Sequence, residues 1–187
     1  MIKTRRNSKS TARGRAGNAR IARLYLSTAQ ETFQRYLPRI VRCLGELTED
    51  QIWWRPNAAS NSAGNLVLHL CGNIRQWIIS GLGGAPDVRR RDAEFAERGP
   101  LARRILALRL KETVNEAVRV LRRLPPATLL QVHTIQGFRV TGLYAVFNVT
   151  EHFSHHAGQI FYIAKMKGAR NLHFTKLPPA SKRVDYM

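Results

Sequence analysis

Apolar residues recur at helical spacing from the outset of the chain's ordered pattern. Over residues 21–47, Leu26, Phe33, Leu37, Ile40, Val41 and Leu44 follow a 3.6-residue period. Pro38 falls inside this pattern and is expected to kink or break the helix near Leu37. Residues 48–60, with Trp53, Trp54 and Pro56, read as a connector. Asn61 or Ser62 can cap a second helix that reaches about Ser80. That helix is apolar over most of its circumference, which predicts a central place in the core. Residues 81–99 read as a loop with Gly83, Gly84 and Pro86, then the run Arg89, Arg90, Arg91. Pro100 suits the first position of a third helix, ended by Pro125 and Pro126. Residues 129–140, with β-branched side chains around Gly137, predict a short hairpin or an extended crossing. A fourth helix is expected over residues 141–167, with Gly168 as its C-terminal cap. Residues 169–187 read as an irregular strap. Four long helices, two of them strongly apolar, predict an all-α fold, a four-helix bundle with a short hairpin before the last helix as its one candidate exception.

Composition modifies this picture at one end. Residues 1–18 are rich in Arg, Lys, Ser, Gly and Asn and nearly devoid of large apolar side chains, so they are expected to form a disordered basic tail. The bundle domain then covers residues 19–187. The tail's acid-free, Arg/Ser-rich composition also fits a transit peptide, or a start codon assigned too early. Every charged residue before Glu31 is Lys or Arg, and the net charge is +19. Such a field attracts nucleic acid or other polyanions without conferring specificity. No apolar run approaches the ~18 residues of a membrane span, so no membrane is expected as a partner. Two cysteines, Cys43 and Cys71, without a CxxC spacing, argue against a disulfide framework or thiolate site and suit a reducing cytoplasm.

The candidate chemistry lies in two polar stripes. His152 and His156 are spaced i, i+4, which stacks two imidazoles on one helix face where they can share a metal ion. At ~100° per residue, Asn148, His152, His156 and Gln159 occupy one arc. On the second helix Asn65, His69, Asn73 and Gln76 show the same phase, surrounded by Leu66, Val67, Leu70, Ile74, Trp77 and Ile78. Buried polar groups must be satisfied. Two facing stripes satisfy one another either as an Asn/Gln/His hydrogen-bond network or around a metal, and the metal is the reading preferred here. His69, His152 and His156 are the expected ligands. Asn65, Asn73, Asn148 and Gln159 are expected to orient them. Three imidazoles leave a fourth position open, as in catalytic sites rather than closed structural ones. His155, at the stripe's edge, is a proton shuttle, a supporting residue or simply exposed. His133 and His173 lie outside both helices and are read as structural, and Cys71 as a core residue. No Asp or Glu falls on either stripe, and Glu151 points away from His152. The site therefore lacks an evident general base.

The run Asn61-Ser62-Ala63-Gly64-Asn65-Leu66-Val67-Leu68-His69-Leu70 resembles the second-helix motif of the DinB-like (YfiT-like) superfamily, and Glu151-His152-Phe153-Ser154-His155-His156-Ala157-Gly158-Gln159-Ile160 resembles its last-helix motif. Trp54-Arg55-Pro56 and Asp92-Ala93-Glu94-Phe95 add to the resemblance. It implies a four-helix bundle with an up-up-down-down connection, a three-histidine metal site on His69, His152 and His156, and often a homodimer. Members of the superfamily look like thiol-dependent S-transferases or metal-dependent hydrolases, and many have no known reaction.

Three function classes follow. The first is a metal-dependent transferase or hydrolase acting on a small molecule, a thiol in the transferase case, at the open position of a zinc, nickel or iron ion. The second is a basic nucleic-acid-associated protein, which no recognisable nucleic-acid motif supports. The third is a metal-stabilised bundle without catalysis.

Overall fold

The computed structural model describes residues 5–99, 101–169, 172 and 174. Helix α1 spans Arg5–Glu46 and runs through Pro38 without a break. Where the sequence pattern predicts a disordered tail, residues 5–18 continue this helix, and residues 1–4 lie outside the described residues. Extending an existing helix adds one hydrogen bond per residue fixed, and Arg, Lys and Ala are good helix formers. No burial is needed for that: Gly14, Ala16, Gly17 and Asn18 are all exposed. A short α2, Glu49–Trp53, follows with a capping box between Thr48 and Gln51.

Helix α3, Ala63–Ile74, starts at Ser62, whose side chain accepts from the Asn65 amide while Asn65 reaches back to the Ser62 amide. Its last turns widen into a π-helical segment, Arg75–Ser80, so the apolar pattern that reads as one helix to Ser80 changes hydrogen-bond register on the way. The expected loop over residues 81–99 contains a short helix α4, Arg91–Ala96. Helix α5 spans Arg103–Arg123; Pro100 is outside the described residues. A 3-10 turn, Pro126–Leu130, leads to the hairpin β1 (Val132–Ile135) and β2 (Phe138–Thr141), paired antiparallel. Gln136 and Gly137 both have positive φ, 54° and 82°, the primed turn that matches strand twist in a two-residue hairpin. Helix α6, Gly142–Met166, is capped by Thr141 and is followed by Gly168 at φ 87°.

Helices α1, α3, α5 and α6 form the bundle, with α1 and α3 each packed on both α5 and α6. Phe33 of α1 meets Phe153 of α6 edge to face at 5.1 Å in the fully buried centre. The helix directions correct the expectation of an up-up-down-down connection. Tyr25 of α1 donates to Leu143 O at the start of α6, and Gln51 after α1 donates to Lys167 O after α6, so these two helices run the same way. Arg103 at the start of α5 bonds Glu49 and the carbonyls of Gly45 and Leu47 at the end of α1. Arg75 of the π-helical segment pairs with Glu116 of α5, and Gly83 lies against Val120, so α3 and α5 run parallel to each other. The order is up, down, down, up. Two consecutive parallel helices need a connection that returns the length of the bundle, and residues 81–102, with α4, make that return. Among the described residues no helix is long and apolar enough to cross a membrane.

Candidate metal centre

His69 on α3 and His152 and His156 on α6 converge, with one ligand atom of each within 4.8 Å of the others. His69 Nε2 is 3.0 Å from His152 Nε2, and His156 Nε2 is 3.1 Å from it. His69 is buried, at 6% exposure, while His152 and His156 are half-buried and face the open side. The helical phase of the two stripes brings the three imidazoles together across the α3–α6 packing.

The hydrogen bonds behind the rings decide which nitrogen faces inward. His69 Nδ1 lies 2.9 Å from Glu94 Oε2. Arg89 Nη2 is 3.2 Å from the same nitrogen, and the two neighbours make opposite demands on it. The carboxylate prevails. Arg89 Nη2 already donates to Glu94 Oε2 at 2.9 Å, and Arg89 and His69 hold the Glu94 carboxyl below the usual range against the burial that opposes it. Nδ1 of His69 therefore carries the proton. His156 Nδ1 lies 2.6 Å from Gln159 Oε1, so it too is the donor. Both inward Nε2 atoms then present lone pairs to His152 Nε2.

His152 cannot satisfy this arrangement. With its proton on Nε2 it serves one of two acceptors and leaves Nδ1, buried and without a partner among the described residues, as an orphaned acceptor. With its proton on Nδ1, three lone pairs converge. A cation removes the conflict in either case, and the all-imidazole donor set fits a divalent ion. Burial, then the neighbouring His156, His69 and Arg89, pushes the His152 pKa down to about 3. Burial also lowers that of His156. Both rings are thus neutral, the state that ligates a metal.

The other expected site residues fall into different places. Asn65 is buried. Its Nδ2 donates to the carbonyls of Glu94 and Glu97, both at 2.9 Å, and its Oδ1 accepts from Arg55 and Ser62. It acts on the return segment. Asn73 is buried, and its Oδ1 has no partner among the described residues. Asn148 is half-buried, and its side chain has no hydrogen-bond partner among the described residues. His155 is exposed beside His156, with ring centroids 5.2 Å apart, and Gln159 Nε2 is 3.4 Å from its Nε2. His133 Nε2 contacts Thr128 O, away from the centre, and His173 lies outside the described residues. Desolvation pushes the Cys43 thiol up to about 11 and that of Cys71 to about 12, so both stay protonated and neither joins the histidines.

Periodicity missed Glu94 and Arg89, because both lie in the return segment and not on a stripe. In the sequence Arg89 is one of three consecutive arginines in an expected loop. Its side chain is 3% exposed and grips both Glu94 oxygens. The one available signal was the run Asp92-Ala93-Glu94-Phe95, in which Phe95 also packs on the His69 ring, centroids 4.6 Å apart.

Among solved structures, the chain is similar in fold to the DinB-like protein YjoA from Bacillus subtilis, at 20% identity and TM-score 0.58, covering 76% of this chain and 94% of that one. It is likewise similar to a DinB-like protein from Bacillus cereus, at 16% identity and TM-score 0.59, covering 75% of this chain and 91% of that one. No curated protein matches the sequence. A family model described as "Protein of unknown function (DUF1572)" matches residues 20–181, both histidine motifs included, and the chain accordingly belongs to this family.

Proposed function

We propose that the protein is a metal-dependent S-transferase that takes a small thiol at the open position of a divalent ion held by His69, His152 and His156. The observation carrying this reading is the placement of charge. His152 and His156, both kept neutral by burial, face inward with His69, and the carboxylate bonded to the centre, Glu94, sits behind His69 and is fully engaged by Arg89. A hydrolytic site wants a base poised on its water. A thiol that ionises on binding needs none. A divalent ion in this donor set supplies Lewis acidity that makes a bound thiol a thiolate at neutral pH. His69 is held rigidly from behind, whereas His152 and His156 lie on the accessible side. A groove lined by Ser60, Asn61, Leu66 and Tyr162 includes His155 and Gln159, the neighbours of His156, and offers a substrate both apolar and polar contacts.

Elemental analysis should find about one zinc, nickel or iron ion per chain. In a cobalt-loaded sample, small thiols should perturb the visible band. A loaded protein that answers to no thiol would remove the transferase reading. We further propose a homodimer, supported by exposed Ile21 and Leu24 of α1 and Leu143, Tyr144 and Phe147 of α6, whose helices are joined there by Tyr25. Sedimentation at varied concentration tests it.

A further inference from the structure

The return segment does more than connect two helices. Arg89 Nε donates to Glu94 Oε1 at 2.7 Å and Nη2 to Oε2 at 2.9 Å, a two-pronged grip that leaves the carboxylate one free direction, toward His69 Nδ1. Arg89 is itself braced. Its Nη1 donates to Gln76 Oε1 at 2.9 Å, and Gln76 Nε2 donates to Asp87 Oδ2 at 2.8 Å. Gln76 belongs to the π-helical segment, so the change of register in α3 supplies part of the brace. Asn65 fixes the backbone at Glu94.

The carboxylate also has a socket. A Cβ added at Gly72 would overlap Glu94 Oε1 and stand 3.0 Å from Arg89 Nε. Gly72 lies three residues after His69, on the same helix face. Only a residue without a side chain leaves room there for the acid.

We propose that Glu94, seated by Arg89 in the space left at Gly72, is the positioning residue of the metal centre, holding His69 as the Nδ1–H tautomer so that its Nε2 lone pair is aimed inward and strengthened as a donor. The inference rests on the metal-binding reading above. Groups that orient a ligating histidine from behind typically contribute 10–100-fold to metal affinity.

The test measures zinc affinity of the full chain by competition with a chromophoric chelator. Glu94→Ala should bind about 10–100-fold more weakly. Glu94→Gln keeps an acceptor and should lose less, and Gly72→Ala should follow Glu94→Ala by evicting the carboxylate. A second readout needs no metal. Ring-nitrogen NMR of the metal-free protein should show His69 protonated on Nδ1, and Glu94→Gln should weaken that preference. Should Glu94→Ala fail to fold, the Gln variant and the wild-type spectrum decide. An Nε2–H tautomer at His69, or affinities within about twofold across the folded variants, overturns the inference alone. A wild-type chain that takes up no zinc overturns the metal-binding reading and this inference with it.

Discussion

The two polar stripes look alike in the sequence and differ in the structure. The α3 stripe is buried and braced: His69 is clamped by Glu94 and Arg89, and Gln76 by Arg89 and Asp87. The α6 stripe is half open. His156 leans on Gln159, itself exposed, and His152 has a ring nitrogen with no partner among the described residues. One half of the centre is held by tertiary contacts, and the other is half-buried with fewer of them. Equal periodicity does not make equal roles, because the phase of a helix says which residues share a face and not what packs against that face.

The largest effect that would test this contrast is loss of the metal. His69→Ala, His152→Ala and His156→Ala should each reduce bound metal from about one ion per chain to nearly none, while His133→Ala retains it. Full occupancy in His69→Ala by elemental analysis would show that the braced half is dispensable.

Stability should divide the halves next. Arg89→Ala strips a buried carboxylate of its guanidinium, and breaking such a pair typically costs about 3–5 kcal/mol. A urea midpoint shifted by little would mean that Glu94 finds another partner and the brace is looser than its geometry.

Acid should weaken the metal-free protein through the open half. His152, with a folded pKa of about 3 set by burial and by His156 and His69, takes up its proton near 6.5 once unfolded. Between those values the unfolded chain binds more protons, so stability falls as pH falls. The lowered pKa of His156 acts in the same direction, and that of Glu94 adds to it further down, through the carboxylate range. Urea midpoints should be steady above about pH 7 and decline below about 6.5. A flat profile from pH 7 to 5 would remove the buried neutral histidine from the account.

The smallest effect is expected at Gln159. It is exposed, so Gln159→Ala should change stability by less than about 0.5 kcal/mol. It should still loosen the orientation of His156, read as a modest weakening of metal binding. A loss as deep as that of Glu94→Ala would erase the distinction between the braced and the open half.

By itself the sequence determined whatever is local and periodic. The four bundle helices, the Ser62 cap, the Gln136–Gly137 turn region and Gly168 beyond α6 follow from side-chain pattern and backbone preference. The common phase of His69, His152 and His156 is a property of the α-helical repeat, and it survives into three dimensions as a converging set. Tertiary structure decided the rest. Pro38 did not interrupt α1, a helix packed on both α5 and α6. The parallel course of α3 and α5 forced the return segment past the site, and only that crossing set Glu94 behind His69 and buried one arginine of three. A segment without periodicity carries no local sign of where it will lie. Its position is set by contacts made across the bundle, at Asn65, Gly72 and Gln76, on a helix that precedes it in the chain.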